Sequence, residues 1–126
     1  MTETFTFRKE VLAKYDEETY QAFMELFDSM PVAALVAEKY LAVHGGISPK
    51  LEKIQSINTD INRFMEVPFE GLFCDLMWAD PTPDKDSGLV EEYSSNSERD
   101  CSVYFGRLAA QKLLEQNDLR SVLRGH

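Results

Sequence analysis

A short apolar run that stops at a histidine and two glycines is the feature that most constrains this chain. Residues 40–46 have the sequence Y-L-A-V-H-G-G, which predicts a strand with His44 at its tip. The glycines allow a sharp turn and let neighbouring groups come close. The only other histidine, His126, ends a similar run over residues 119–126. The two strand-tip histidines therefore raise the question of a metal site.

Length, net charge and cysteine content limit the classes of protein to which this sequence can belong. A length of 126 residues is typical of one domain, so we assign residues 1–126 to a single domain. The net charge of −9 argues against a nucleic-acid partner, which needs a basic face. No apolar run approaches the roughly 18 residues of a membrane span, and the N-terminus does not have the pattern of a signal peptide. Cys74 and Cys101 form no C-x-x-C motif, and we interpret both as reduced thiols of a cytoplasmic protein.

Helical periodicity is clearest in the first thirty residues. Residues 6–15 favour a helix, and Asp16 is a candidate N-cap for a second one. The second helix has apolar residues at helical spacing, which we interpret as a core-facing stripe. Pro31 should end this helix. The stripe consists of Tyr20, Phe23, Met24 and Phe27.

The remainder of the chain mixes strands and helices, which predicts an α/β (α+β) fold. A β-hairpin is expected over residues 32–37 and 40–43, with both strands too apolar to be half exposed. Helices are expected at residues 56–63, at residues 72–78 and from Gly106 to about residue 118. The last helix should face Leu108, Ala109, Leu113 and Leu114 inward. A polar loop over residues 82–100 and strands at residues 102–105 and 119–123 complete the prediction.

The residue chemistry alone leaves function open. A catalytic metal needs three or more protein ligands, so the two histidines are either part of a metal site or ordinary polar residues. Arg99 is suited to bind a phosphate through its guanidinium, or it is a solvated charge paired with Asp100. Asp80, which precedes Pro81, is consistent with a turn residue whose side chain caps the backbone. The sequence contains no Ser-His-Asp order, H-E-x-x-H, G-x-G-x-x-G or Walker motif.

Four segments, taken in order, resemble one protein family. They are V-H-G-G-I-S-P at residues 43–49, L-M-W-A-D-P at 76–81, N-S-E-R-D-C-S-V-Y-F-G at 96–106, and the run ending in R-G-H at 124–126. This series resembles the PPP family of serine/threonine protein phosphatases. Within that family, residues 1–7 and 27–35 are most similar to the calcineurin-type branch.

The resemblance implies a fold and a chemistry. The fold is a metallophosphoesterase fold, with β-sandwich strands flanked by helices. The implied activity is hydrolysis of phosphoprotein monoesters by water activated at a dinuclear Fe/Zn or Mn centre. By resemblance, His44 and His126 are ligands of one metal. Arg99 would hold the substrate phosphate, with Asp80 and Trp78 beside the cleft.

The chain also departs from the family pattern. The motifs G-D-x-H-G, G-D-x-x-D-R-G and G-N-H-E are absent, and with them the remaining ligands and the acid histidine. We therefore expect a partial domain that lacks the N-terminal half, holds at most one partial metal site, has no assigned catalytic residue and is inactive alone. By the same resemblance, we expect the segments that bind a calmodulin-like regulatory subunit and calmodulin to be absent as well. Asp100 replaces the usual glycine, which adds a negative charge beside Arg99.

One alternative function remains for such a chain. It is a non-catalytic binding or dimerising module derived from a phosphatase. The apolar hairpin favours self-association in either case, because the surface that the missing half would cover should be apolar.

Overall fold

The structure is a computed structural model that describes residues 2–83 and 92–126. Five helices and six strands lie in this part of the chain. The helices are α1 (Phe7–Lys14), α2 (Glu17–Ser29), α3 (Ser56–Asp60), α4 (Leu72–Trp78) and α5 (Arg107–Gln116). The strands are β1 (Ala33–Val36), β2 (Tyr40–Val43), β3 (Asp80–Pro81), β4 (Tyr93–Ser95), β5 (Val103–Phe105) and β6 (Ser121–Arg124).

The chain divides into two compact units, and the smaller one comprises Met1–Met30 with Arg63–Met65. Its second helix begins as predicted, because the Thr19 N–H donates to the Asp16 carboxylate at 2.8 Å. The Asp16 pKa is lowered by this hydrogen bond. The helix ends at Ser29, with Met30 extended as expected for a residue that precedes a proline.

The aromatic stripe of α2 is only partly a core face. Tyr20 is buried, and the Phe23 ring meets the Phe7 ring of α1 edge-on at 5.3 Å between centroids. Phe27, however, is 41% exposed. The prediction that the whole stripe faces a core is therefore wrong at Phe27.

The larger unit, Pro31–Asn62 with Glu66–His126, contains the predicted hairpin. β1 and β2 pair antiparallel, and the Lys39 N–H donates to the Val36 carbonyl across the turn at 3.1 Å. Leu35 and Val36 are 47% and 49% exposed, so the expectation that both strands are too apolar for exposure is wrong for β1. The reason is topological, since β1 lies at an edge of the sheet β1-β2-β6.

The core of the larger unit forms around β2, the central strand of that sheet. β2 pairs in parallel with β6, and Val43 lies opposite Arg124 at the end of the register. Parallel neighbours end at the same edge of a sheet, so this pairing fixes where the two histidines emerge. The core residues are Leu41, Val43, Ile47, Leu51, Ile57, Leu72, Leu76, Ala109, Leu113 and Leu119.

A second small sheet, β3-β5-β4, lies partly in the segment predicted to be a loop. β3 pairs in parallel with β5, and β4 pairs antiparallel with it. The loop prediction over residues 82–100 is therefore wrong for Tyr93–Ser95. The part of that loop at residues 84–91 lies outside the described residues.

Three helix predictions were close to the structure. α4 spans the predicted residues 72–78, whereas α3 is shorter than predicted and ends at Asp60. In α5, Ala109 and Leu113 are buried and Leu114 packs against the core, but Leu108 is 37% exposed and was wrongly placed inward. Among the described residues, no helix is long and apolar enough to cross a membrane.

Candidate active site

The two histidines meet at the edge where β2 and β6 end. The His44 and His126 rings are stacked, with centroids 5.1 Å apart and planes inclined by 28°. The backbone N–H groups of Gly125 and His126 both donate to the His44 carbonyl, at 3.2 and 3.0 Å. The strand register therefore holds the imidazoles side by side through the backbone.

The glycine after His44 lets this strand tip pack against the end of α4. The Gly45 N–H donates to the Leu76 carbonyl at 2.8 Å. A Cβ atom at Gly45 would lie 2.6 Å from the backbone of Met77 and Trp78, closer than a Cβ atom can approach a non-bonded backbone atom. The contact brings the Trp78 ring edge-on to His126, at 6.0 Å between centroids.

Asp80 occupies the centre of the polar cluster. Its Oδ1 accepts a hydrogen bond from Arg124 Nη2 at 2.7 Å. Its Oδ2 accepts from Arg99 Nε at 2.9 Å and from Asn96 Nδ2 at 3.1 Å. Burial raises the pKa of Asp80, but the hydrogen bonds from Arg99 and Asn96 outweigh it and hold the pKa below its ordinary value. Asp80 is thus an ionised partner of two guanidinium groups, and the interpretation of it as a backbone cap is wrong.

His126 has an unsatisfied ring nitrogen. Its Nδ1 is buried and makes no hydrogen bond within residues 2–83 and 92–126, although Asp80 Oδ1 is 3.2 Å away. Burial lowers the pKa of His126, and the positive charges of Arg99 and Arg124 add to that effect against the attraction of Asp80. The imidazole is therefore neutral near pH 7, and the contact with Asp80 is neither an ion pair nor an aligned hydrogen bond. A neutral ring with an unused nitrogen is the form of histidine that binds metals.

The two imidazoles fit part of a metal site. Bonds of about 2.0–2.1 Å from nitrogen to metal are compatible with two adjacent rings reaching one ion. Imidazole suits zinc, iron and related first-row ions. No group of three or more His, Cys, Asp or Glu side chains suitable for a metal occurs in the described part of the chain. His44 and His126 therefore supply two ligands of a set that needs more.

Arg99 is the residue of the cluster best placed to meet an anion. Its guanidinium carbon lies 6.0 Å from the Trp78 ring centroid, and its side chain is 34% exposed. The hydrogen bond to Asp80 uses Nε, so the Nη groups of Arg99 are not engaged by that carboxylate. The partner of Arg99 is thus Asp80, which lies 19 residues away in the chain, and the pairing with Asp100 considered from the sequence is replaced.

Three residues of the cluster and its support were missed from the sequence. Arg124 and Asn96 both bind Asp80, and Asp75 is buried and accepts hydrogen bonds from Ser48 and Ser102. Asp75 did carry a signal, because it is the one charged residue in the apolar helix over residues 72–78. Buried carboxylates of this kind must be paired. Asn96 and Arg124 stand in two of the segments that resemble the PPP family, but their hydrogen bonds to Asp80 are long-range and no local pattern predicts them.

Comparisons with known proteins give the family. The chain is 43% identical over 134 aligned residues to the serine/threonine-protein phosphatase 2B catalytic subunit A1 of Saccharomyces cerevisiae, covering 100% of this chain and 24% of that protein. Subunit A2 of the same yeast is 39% identical, again over all of this chain and 25% of its own length. A protein phosphatase 2A catalytic subunit of Dictyostelium discoideum is 35% identical over 100% of this chain and 38% of that protein.

A solved structure and a family profile also match this chain. The structure of a protein serine/threonine phosphatase from Saccharomyces cerevisiae, with similarity to human phosphatase PP5, aligns with a TM-score of 0.75 at 32% identity. The alignment covers 94% of this chain and 35% of that one. This chain spans about a quarter of the length of the two yeast phosphatase 2B subunits. The profile of the calcineurin-like phosphoesterases matches residues 3–126, and the chain belongs to that family.

Proposed function

We propose that this chain is part of a metal-dependent serine/threonine protein phosphatase of the calcineurin type, acting on phosphoproteins in the cytoplasm. The observation that carries the proposal is the side-by-side arrangement of His44 and His126, with Arg99 and Asp80 beside them. In metal-dependent transfer of a phosphoryl group from an ester to water, metal ions activate the water and stabilise charge on the phosphate oxygens, and an arginine beside them can bind the phosphate. The cluster has both features, and the names of the relatives agree with that chemistry.

Each residue of the cluster has a distinct role in this proposal. His44 and His126 hold one ion of a dinuclear Fe/Zn or Mn centre. Arg99 binds the substrate phosphate through its Nη groups, while Asp80 orients the guanidinium through Nε and Trp78 lies against its face. When bound, the metal centre polarises the phosphate oxygens and lowers the pKa of water. None of the described residues is assigned as the general acid.

Metal binding by the two histidines is the direct test. We expect titration with Zn²⁺ to shift the imidazole NMR signals of His44 and His126 together, because one ion contacts both rings. The variants H44Q and H126Q should each abolish the shift of the remaining histidine. D118N is the control, since Asp118 is an exposed carboxylate paired with Lys39 and its loss reports only diffuse binding to the acidic surface. Independent responses of the two rings would contradict the proposal.

The chain alone should be inactive, because two imidazoles do not complete a metal site. We expect the purified 126-residue chain to release no phosphate from a phosphopeptide in the presence of added Mn²⁺. Turnover that persists in H44Q would indicate a contaminating phosphatase. Turnover by the pure chain that is lost in H44Q would show that the absent ligands are not required.

The exposed edge strand β1 favours one alternative, a non-catalytic binding or dimerising module. The genomic sequence upstream of this chain distinguishes the two proposals. Upstream coding sequence with G-D-x-H-G and G-N-H-E supports the phosphatase, and a stop codon in frame before them supports the module. Binding of a calmodulin-like regulatory subunit and of calmodulin belongs to the phosphatase proposal, and we assign neither partner to a surface of residues 1–126.

A further inference from the structure

Asp80 divides its two oxygens between two arginines. Oδ2 takes Arg99 Nε and Asn96 Nδ2, whereas Oδ1 takes Arg124 Nη2 at 2.7 Å. The Asp80 side chain is 15% exposed, so water has little access to replace a lost partner. Each oxygen of this half-buried carboxylate therefore accepts a hydrogen bond from a specific donor.

Arg124 is itself fixed from a second side. Its Nε donates to the Gly45 carbonyl at 2.6 Å, while its Nη2 binds Asp80. The planar guanidinium spans these two acceptors at once, which a lysine ammonium on a flexible stem does not reproduce. One side chain of β6 thus connects the loop after His44 to the carboxylate that holds Arg99.

We propose that Arg124 is a positioning residue that keeps Arg99 available to a phosphate by occupying Oδ1 of Asp80. The inference rests on the proposed phosphatase function for its purpose, but the arrangement itself does not require a metal. Without Arg124, both oxygens of Asp80 turn to the remaining guanidinium, because Arg–carboxylate pairs favour bidentate contact. Arg99 then uses an Nη group on Asp80, and the edge that would meet a phosphate is lost.

The first test needs no ligand. In the 126-residue chain, the Arg99 side-chain ¹⁵N–¹H signals should show a protected Nε–H and rapidly rotating Nη groups. In R124M, we expect a slowed, resolved Nη signal from the second bond to Asp80. R120M is the matched control, because Arg120 is exposed just before β6 and its replacement removes the same charge. Unchanged Arg99 signals in folded R124M would overturn the inference.

The second test uses inorganic phosphate as the probe. We expect R124M to weaken phosphate binding at Arg99 by about three- to fivefold, the scale of a partly exposed ion pair, and R120M to weaken it less. In a D80N background the effect of R124M should disappear, since a neutral amide does not compete for the guanidinium. An equal loss with and without D80N would mean that Arg124 acts through general charge or folding, and would refute the proposal.

The variant R124K distinguishes loss of the guanidinium geometry from loss of the fold. It keeps the charge but not the fork, so it should show the slowed Arg99 Nη signal with native dispersion in the backbone spectrum. Unfolding of both R124M and R124K would assign Arg124 a purely structural role and overturn the proposal. If the wild-type chain does not bind phosphate at Arg99, the phosphate-binding part of the proposed function fails, whereas the ligand-free spectra still decide the role of Arg124.

Discussion

The hydroxyl of Ser48 donates a hydrogen bond to the buried carboxylate of Asp75 at 2.5 Å. The same carboxylate accepts from Ser102 at 2.7 Å, which joins the loop after His44 to the loop after Arg99. Asp75 lies on α4 and is 5% exposed, and Ser48 is 1% exposed, so the Ser48 hydroxyl loses its acceptor in a dry environment if Asp75 is removed. Ser102 is half-buried and loses the same acceptor. The candidate site is therefore supported by a hydrogen-bond network that contains none of the residues proposed to bind metal or phosphate.

Replacing Asp75 by alanine should destabilise the chain strongly. D75A leaves the buried Ser48 hydroxyl without its acceptor and opens a cavity, and we expect a loss of about 2–4 kcal/mol in the free energy of unfolding. Urea denaturation followed by circular dichroism measures it. D28A is the control, because Asp28 is an exposed carboxylate of α2, and it should change stability by less than about 0.5 kcal/mol. Similar losses in both variants would contradict the supporting role of Asp75.

The strand tip should tolerate no side chain at Gly45. In G45A the new methyl group meets the backbone of Met77 and Trp78 at 2.6 Å, and we expect a loss of about 3 kcal/mol from forced displacement. G125A is the matched control, since the nearest atom to its Cβ is His44 Nδ1 at 3.8 Å, which is ordinary contact. Thermal unfolding of the two variants compares them. A stable G45A would show that the tip does not pack on α4 as described.

The elements predicted correctly from the sequence depend on interactions between residues that are close together in the chain. The N-cap Asp16, the helical period of α2 and the proline that follows Asp80 all act within one or two turns of chain. β4 was missed because two of its three residues are serines, and its pairing with β5 is a long-range contact. The exposure of β1 was not predicted for a related reason. An apolar strand has the same sequence pattern whether it lies at the edge or at the centre of a sheet.

The candidate site was predictable only in part. The sequence predicts His44 and His126 at two strand tips, and the parallel pairing of β2 with β6 brings both tips to the same edge of the sheet. The ion pairs of Asp80 link residues 19 and 44 positions apart, so no local motif announced them. The roles of these residues in binding metal and phosphate remain predictions from the resemblance to the PPP family.

Asp100 should be a poor residue at its own position. Its φ angle of 56° lies in the left-handed region that favours glycine. We expect D100G to stabilise the chain by about 0.5–1 kcal/mol, because relief of strain exceeds the added entropy of the unfolded chain. Removing the charge beside Arg99 should also tighten phosphate binding.

D100N separates the two effects of Asp100. Asparagine tolerates the left-handed region about as well as aspartate, so D100N should leave stability unchanged while it tightens phosphate binding like D100G. Unfolding in urea and a phosphate titration by NMR measure the two quantities. Equal stability of the wild type and D100G would show that the strain relieved does not exceed the entropy added to the unfolded chain. Unchanged phosphate binding in both variants would show that the Asp100 charge does not weaken binding.

Tyr93 should make stability depend on alkaline pH. Its hydroxyl donates to the Ser48 carbonyl at 3.0 Å, and burial raises its pKa from 10.0 to about 12, with smaller contributions from Asp75 and Glu92. The folded-state pKa exceeds the unfolded one, so the stabilisation is complete below about pH 10 and is lost as the pH rises towards about 12. The wild type should therefore lose stability more steeply than Y93F across this range.

The comparison with Y93F isolates Tyr93 from other groups that titrate at alkaline pH. Near pH 8, Y93F should be less stable by about 1 kcal/mol, the value of a typical hydrogen bond. The gap should narrow as the pH approaches about 11, because only the wild type has this phenol to ionise on unfolding. Y15F, at a tyrosine that is 64% exposed, should follow the wild-type curve throughout. A gap between wild type and Y93F that is constant with pH would refute the prediction.

The edge strand β1 should drive self-association of the chain. Leu35 and Val36 are about half exposed, and β1 carries no charged residue or proline of the kind that protects natural edge strands. We expect sedimentation velocity at high protein concentration to show dimers or larger species of the wild type and a monomer for L35K, because a charge on the edge opposes strand pairing. L26K is the control, since Leu26 is 52% exposed on α2 and not on an edge strand, and it should associate like the wild type. A wild type that stays monomeric, or an L26K as disruptive as L35K, would exclude β1 as the contact.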